Sequence, residues 1–218
     1  MGDGQHSYEP STHFAMTKLS NIISTVFHPL LMTTYLVLLL GFFFPPMLML
    51  PKDKVFVFAS VIFGITFVLP VVNILIFKQF NMISSLTMMD RKDRIVPFIF
   101  ITALYVAVAA LFYYRIHLSA NFTKIMAVTA AMVVFACIIT FFFKVSIHSL
   151  AIWGALGIIL PLNKAAGAGL ISATVFLLVA AGLVMAARLQ LNAHTPREIL
   201  VGALVGLCTG FGGMVILF

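Results

Sequence analysis

Seven apolar stretches, each about as long as a bilayer is thick, govern what this chain can fold into. They cover residues 20–44, 54–78, 96–114, 122–143, 146–162, 165–187 and 198–218. A helix needs about 20 apolar residues to cross the hydrocarbon core. The 62% of apolar residues, the 9% of charged residues and a mean hydropathy of +1.16 lie far outside soluble usage. The reading is an all-α, polytopic transmembrane helix bundle of seven spans. Because the fifth stretch is short, six spans with one re-entrant piece is the alternative.

The breaks between spans are legible. Pro45-Pro46 and Lys52-Asp53-Lys54 separate the first from the second, Arg115 to Asn121 the third from the fourth, and Pro161-Leu162-Asn163-Lys164 closes the fifth. Residues 1–19 are polar and of mixed charge and read as a tail, leaving 20–218 as a single domain. The first apolar run is too long for a signal peptide and lacks a small-residue cleavage site, so it reads as an anchor. The net charge of +7 is spread over short loops with no basic block, which argues against nucleic acid. Cys137 and Cys208 lie inside apolar runs, and no His, Cys, Asp or Glu set has metal-ligand spacing, so neither a disulfide framework nor a metal site is expected.

Polar chemistry is concentrated between Ala187 and Gly202. Arg188, His194 and Glu198 fall six and four residues apart, and Glu198 is the only acid after Asp93. Thr195-Pro196-Arg197-Glu198 reads as a helix start, with threonine as N-cap, proline in the first position and glutamate closing a capping box. His194 then stands just outside a helix N-terminus, where free N–H groups and the macrodipole favour an anion. The plainer alternative is that Glu198 only caps, Arg188 only marks the membrane edge and His194 is a loop residue.

Two further stretches have the same character. Asp90-Arg91-Lys92-Asp93-Arg94 is followed by Pro97, suited to the first turn of the third helix. Lys144-Val145-Ser146-Ile147-His148 offers Ser146 as N-cap of the fifth. With seven spans, the loops after helices two, four and six emerge on one face. Three helix N-termini together with Arg91, Lys92, Arg94, Lys144 and Arg188 would make a strong anion site there. His28-Pro29, near the start of the first helix, reads as a neighbour of the site, and Trp153 as a packing or lipid-facing residue. Gly202, Gly206 and Gly210 form a small-residue stripe that admits a close helix partner, a homodimer among the candidates.

These residues resemble the signatures of the type 2 phosphatidic acid phosphatase (PAP2) superfamily. Arg188-x5-His194-x3-Glu198 resembles the third, Ser-Arg-x5-His-x3-Asp. Ser146-Ile147-His148 resembles the second, Pro-Ser-Gly-His, and the stretch from Arg91 to Pro97 a degenerate first, Lys-x6-Arg-Pro. Ala187, Glu198, Val145 and Ile147 depart from the motif serine, aspartate, proline and glycine. The resemblance runs from about residue 90 to the C-terminus and implies a PAP2-like core in an integral membrane phosphatase acting on a lipid phosphate or diphosphate. It makes His194 the nucleophile that forms a phosphohistidine, Glu198 its orienting acid and His148 the general acid. Arg188, Arg94 and either Arg91 or Lys92 would hold the phosphoryl oxygens, helped by Ser146 and with Lys144 beside them; no metal or other cofactor is implied.

Phosphotransfer to an alcohol from the same site, a non-catalytic lipid-phosphate binder and a small transporter are the other readings. Counting Lys and Arg puts the motif face inside. Leaving out Arg91, Lys92, Arg94, Lys144 and Arg188 reverses the balance, and the resemblance likewise implies an extracytoplasmic site in a bacterial inner membrane.

Overall fold

The computed structural model describes residues 10–85, 91–116, 119–167 and 169–218, with the side chains of all but residues 10–13, 91 and 92. Among the described residues the chain is helical and has no strand. Seven segments are long and apolar enough to cross a membrane, so the seven-span reading holds. The short fifth is one continuous helix, and the re-entrant alternative falls.

The first segment consists of α1 (Pro10–Val26) and α2 (Met32–Phe43), on either side of a 3-10 turn at Pro29–Leu31. Pro29 has no N–H to give and its ring disfavours a continuing helix. The last ladder bond of α1 runs from Phe27 N–H to the Ile23 carbonyl, 2.9 Å. A short helix α3 (Pro45–Leu48) leads to the second segment, α4 (Val55–Phe63) and α5 (Leu69–Gln79), joined through a π-helical turn at Gly64–Val68. The remaining five are α6 (Arg91–Tyr114), α7 (Ala120–Phe142), α8 (Ile147–Ala165), α9 (Ile171–Gln190) and α10 (Pro196–Leu217).

Three expected boundaries move. Helix α1 begins at Pro10 and packs against α9, so residues 10–19 belong to the first helix rather than to a tail. Helix α6 begins at Arg91, which places Pro97 inside the helix instead of in its first turn. Helix α8 runs through Pro161 to Ala165. That proline is followed by only four helical residues, so little helix lies beyond the bond it deletes.

The most extensive helix pair is α8 with α10, and it is a close approach of backbones. A Cβ at Gly202 would fall on the Ser146 carbonyl oxygen, one at Gly206 on that of Leu150, and one at Gly210 on that of Gly154. The order is the same along both helices, so they run parallel with their N-termini at one end. The glycine stripe considered as a homodimer face is therefore occupied from within the chain. Its effect is to fix the start of α8 against the start of α10, where the Ser146 N–H donates to the Glu198 carbonyl at 3.1 Å. The large buried residues between the helices, including Leu40, Ile62, Met126 and Ile158, are apolar.

Candidate active site

At the start of α10 one carboxylate oxygen serves two purposes. Thr195 Oγ1 accepts from the Glu198 N–H at 3.3 Å, and Glu198 Oε2 accepts from the Thr195 N–H at 3.4 Å, which completes the capping box read from the sequence. The same Oε2 lies 2.7 Å from His194 Nδ1. A carboxylate oxygen only accepts, so Nδ1 carries the hydrogen and Nε2 carries the lone pair. Capping and orienting are thus not alternatives at Glu198.

His194 is 7% exposed. Burial pulls its pKa down to about 4, the positive fields of Arg94 and Arg188 act in the same direction, and the hydrogen bond and charge of Glu198 oppose them. The imidazole is neutral at physiological pH. The unfolded chain protonates this group near the ordinary 6.5. Between those values the unfolded state binds more protons, so the contribution to stability is full above 6.5 and is lost as pH falls toward 4. Denaturant melts in detergent should show wild type losing stability relative to His194→Gln across that window. An imidazole titration followed by NMR should put the His194 midpoint near 4, well below 6.5.

Two arginines face this pair. Arg94, in the first turn of α6, is buried and its Nη1 donates to the Val145 carbonyl at 3.4 Å. It also lies within electrostatic reach of Glu198 and Arg188. Arg188, in the last turn of α9 where the helix dipole favours a cation, donates from Nη1 to Ser24 Oγ at 3.4 Å. Its Nε is buried with no partner among the described residues. An unmet buried donor costs about 1–3 kcal/mol, a cost that an incoming anion oxygen would relieve. His148, in the first turn of α8, lies with Nε2 3.1 Å from the Ser24 carbonyl. Its ring meets that of His28 edge-on, 5.6 Å between centroids.

His28, Arg94, His148, Arg188 and His194 line the polar part of a cavity of about 240 Å³. Below them the walls are apolar, with Leu36, Phe98, Ile101, Met132, Ala136 and Ala155 among the lining residues. Arg94, Phe98, Ile101 and Tyr105 make one stripe on α6, so the cavity follows about 16 Å of helix axis. That is roughly half of a hydrocarbon core about 30 Å thick. Near the inner end the Tyr105 hydroxyl and Thr33 Oγ1 pair at 3.3 Å.

Five of the expected site residues thus come together: His194, Glu198, His148, Arg188 and Arg94. Two do not. Ser146 is fully buried and caps α8, with its Oγ accepting from the Ser149 N–H and hydroxyl at 3.5 and 3.1 Å. Lys144 is not among the residues lining the cavity. The side chains of Arg91 and Lys92, and all of Asp90, lie outside the described residues. Sequence reasoning missed Ser24, an ordinary serine in the first spanning stretch whose importance comes only from the break four residues later. Comparison with protein-family models, curated proteins and solved structures gives no match to this chain.

Proposed function

We propose that this protein is an integral membrane phosphatase of the PAP2 type, hydrolysing a lipid phosphate or diphosphate through a phosphohistidine. One observation carries the reading: two arginines, a carboxylate-oriented neutral histidine and a second histidine rim the polar end of a cavity that is apolar below. A phosphate with a hydrocarbon substituent matches that division. Its charge meets Arg94 and Arg188, and its chain is covered by the walls of α6, α7 and α8.

The chemistry follows from the tautomer. His194 Nε2 attacks phosphorus in line as the bond to the leaving oxygen breaks, and His148 gives that oxygen its proton. Glu198 stabilises the positive charge that forms on the His194 ring, as a triad acid does. Water then attacks the phosphohistidine, His148 recovers a proton from it, and phosphate leaves. The arginines stabilise charge on the equatorial oxygens, and removing such a donor costs on the order of 10²–10³ in kcat.

The small-transporter reading draws on the helix break at the 3-10 turn Pro29–Leu31, which packs against the π-helical turn at Gly64–Val68. Broken helices bind ions through freed carbonyls. Here the carbonyls of Ser24 and Val26 are met by His148 and Tyr35, an arrangement that favours a fixed site over a passing ion.

The test is phosphate release by the purified chain with chelator present, over prenyl, diacyl and aryl phosphates, with His194→Ala as baseline. Metal-independent release, blocked far better by vanadate than by phosphate, is expected. No release above baseline from any substrate would overturn the reading. Ala155→Leu fills the apolar arm and should lower kcat/KM for long-chain substrates by about 10- to 100-fold. It should leave p-nitrophenyl phosphate nearly unaffected.

A further inference from the structure

The first membrane segment is broken, and the break faces the candidate site. Where α1 ends, the Ser24 carbonyl is the first beyond the ladder's last acceptor, Ile23. It meets His148 Nε2 at 3.1 Å. A carbonyl can only accept, so His148 carries its hydrogen on Nε2. The hydroxyl of the same residue accepts from Arg188 Nη1 at 3.4 Å. Ser24 thereby touches two members of the site through two different groups, from a helix that the signature motifs do not include.

The break is itself held open. Pro29 cannot donate, His28 Nδ1 caps the 3-10 turn by accepting from the Leu30 N–H at 3.3 Å, and Tyr35 donates from its hydroxyl to the Val26 carbonyl at 2.9 Å. The capping bond fixes the His28 ring, and that ring lies edge-on to His148 at an interplanar angle of 81°. His148 is therefore constrained at Nε2 by Ser24 and across its ring by His28. Nδ1 is the ring nitrogen left to exchange protons.

We infer that Ser24, presented by the Pro29 break, is a positioning residue for phosphoryl transfer: its carbonyl fixes the His148 tautomer so that the proton passes through Nδ1, and its hydroxyl steadies Arg188. The inference rests on the phosphatase reading for its catalytic meaning. In the first half-reaction the Nδ1–H bond of the imidazolium breaks, the proton goes to the leaving oxygen and the electron pair stays on Nδ1. The product is the neutral Nε2–H tautomer, which the Ser24 carbonyl already holds. In the second, Nδ1 takes a proton from the attacking water and the imidazolium is restored. A histidine free to choose tautomers would spend part of its time with its hydrogen on the wrong nitrogen.

The two groups of Ser24 can be separated experimentally. Pro29→Ala restores a donor and lets α1 continue, so that the His28 N–H can compete for the Ser24 carbonyl. It should lower kcat/KM for an alkyl phosphate by about tenfold or more and leave the first-turnover burst of p-nitrophenolate from p-nitrophenyl phosphate, the half-reaction whose leaving group needs no proton, nearly unchanged. Ser24→Ala keeps the carbonyl and loses the hydroxyl. It should raise KM for both substrates to a similar degree, with Ser24→Thr restoring it.

In full-length protein labelled with ¹⁵N-histidine, His148 should show a protonated Nε2 and an unprotonated Nδ1 when neutral, with His148→Ala giving the assignment. Pro29→Ala should turn that signal into a tautomer mixture. A His148 found with its hydrogen on Nδ1 in wild type overturns the inference, as does equal loss of the first half-reaction on both substrates in folded Pro29→Ala. If Pro29→Ala does not fold, the wild-type tautomer and the Ser24 pair decide. If wild type hydrolyses nothing, the phosphatase reading fails while the spectrum still reports on the Ser24 bond.

Discussion

His194→Ala should reduce turnover on any phosphate substrate by about 10⁵- to 10⁶-fold, the scale seen when a covalent nucleophile is removed. It should also abolish an acid-labile, base-stable phosphate on the protein after rapid denaturation with labelled substrate. The expectation follows from geometry. His194 Nδ1 is taken by Glu198 Oε2 at 2.7 Å, which leaves the Nε2 lone pair to attack. Glu198→Gln still caps α10, because glutamine serves in a capping box. It no longer fixes the tautomer by charge, and a loss of about 10³- to 10⁴-fold with little change in folded protein is expected. His148→Ala should still permit the label from p-nitrophenyl phosphate but not from an alkyl phosphate, whose leaving group needs a proton. Label that persists without His194, or a His148 effect on label formation equal for both substrates, would show the roles to be misassigned.

Gly206→Ala should remove most of the folded protein, measured as monodisperse yield and melting temperature in detergent. The added Cβ would fall on the Leu150 carbonyl, 2.9 Å from its carbon and 3.0 Å from the Gly154 nitrogen. These are backbone atoms of a neighbouring helix, so no side-chain rotation relieves the clash, and α8 must move away from α10. Overpacking costs about 1–3 kcal/mol where a core can adjust, and a backbone crossing adjusts less readily. Gly212→Ala is the control, since its Cβ meets nothing within 4 Å. Helix propensity alone makes that change favourable by up to about 1 kcal/mol. Equal behaviour of the two variants would mean that the parallel α8–α10 contact does not hold the bundle together.

The sequence by itself determined the class of protein and most of its polar end. Seven runs of sufficient apolar length dictate seven spanning segments, because the period and length of apolar residues are local properties. The start of α10 was equally legible. Thr195, Pro196 and Glu198 act within four residues of one another, so their capping geometry needs no distant partner. Parity of the spans placed Arg94, His148, Arg188 and His194 on one face before any coordinate.

Tertiary structure decided what each polar residue faces. Ser146 and His148 are two residues apart on one helix start, yet Ser146 is consumed as a buried cap while His148 lines the cavity. Their spacing gives no hint of that difference, because it depends on where α10 and the α1 break lie. The glycine stripe marked a close helix approach but not whose helix, and packing assigned it to α8 of the same chain. Ser24 carried no signal, because its partners are 124 and 164 residues away. Contacts at that separation arise only once the spans have packed, since each depends on the depth and rotation of two helices at once.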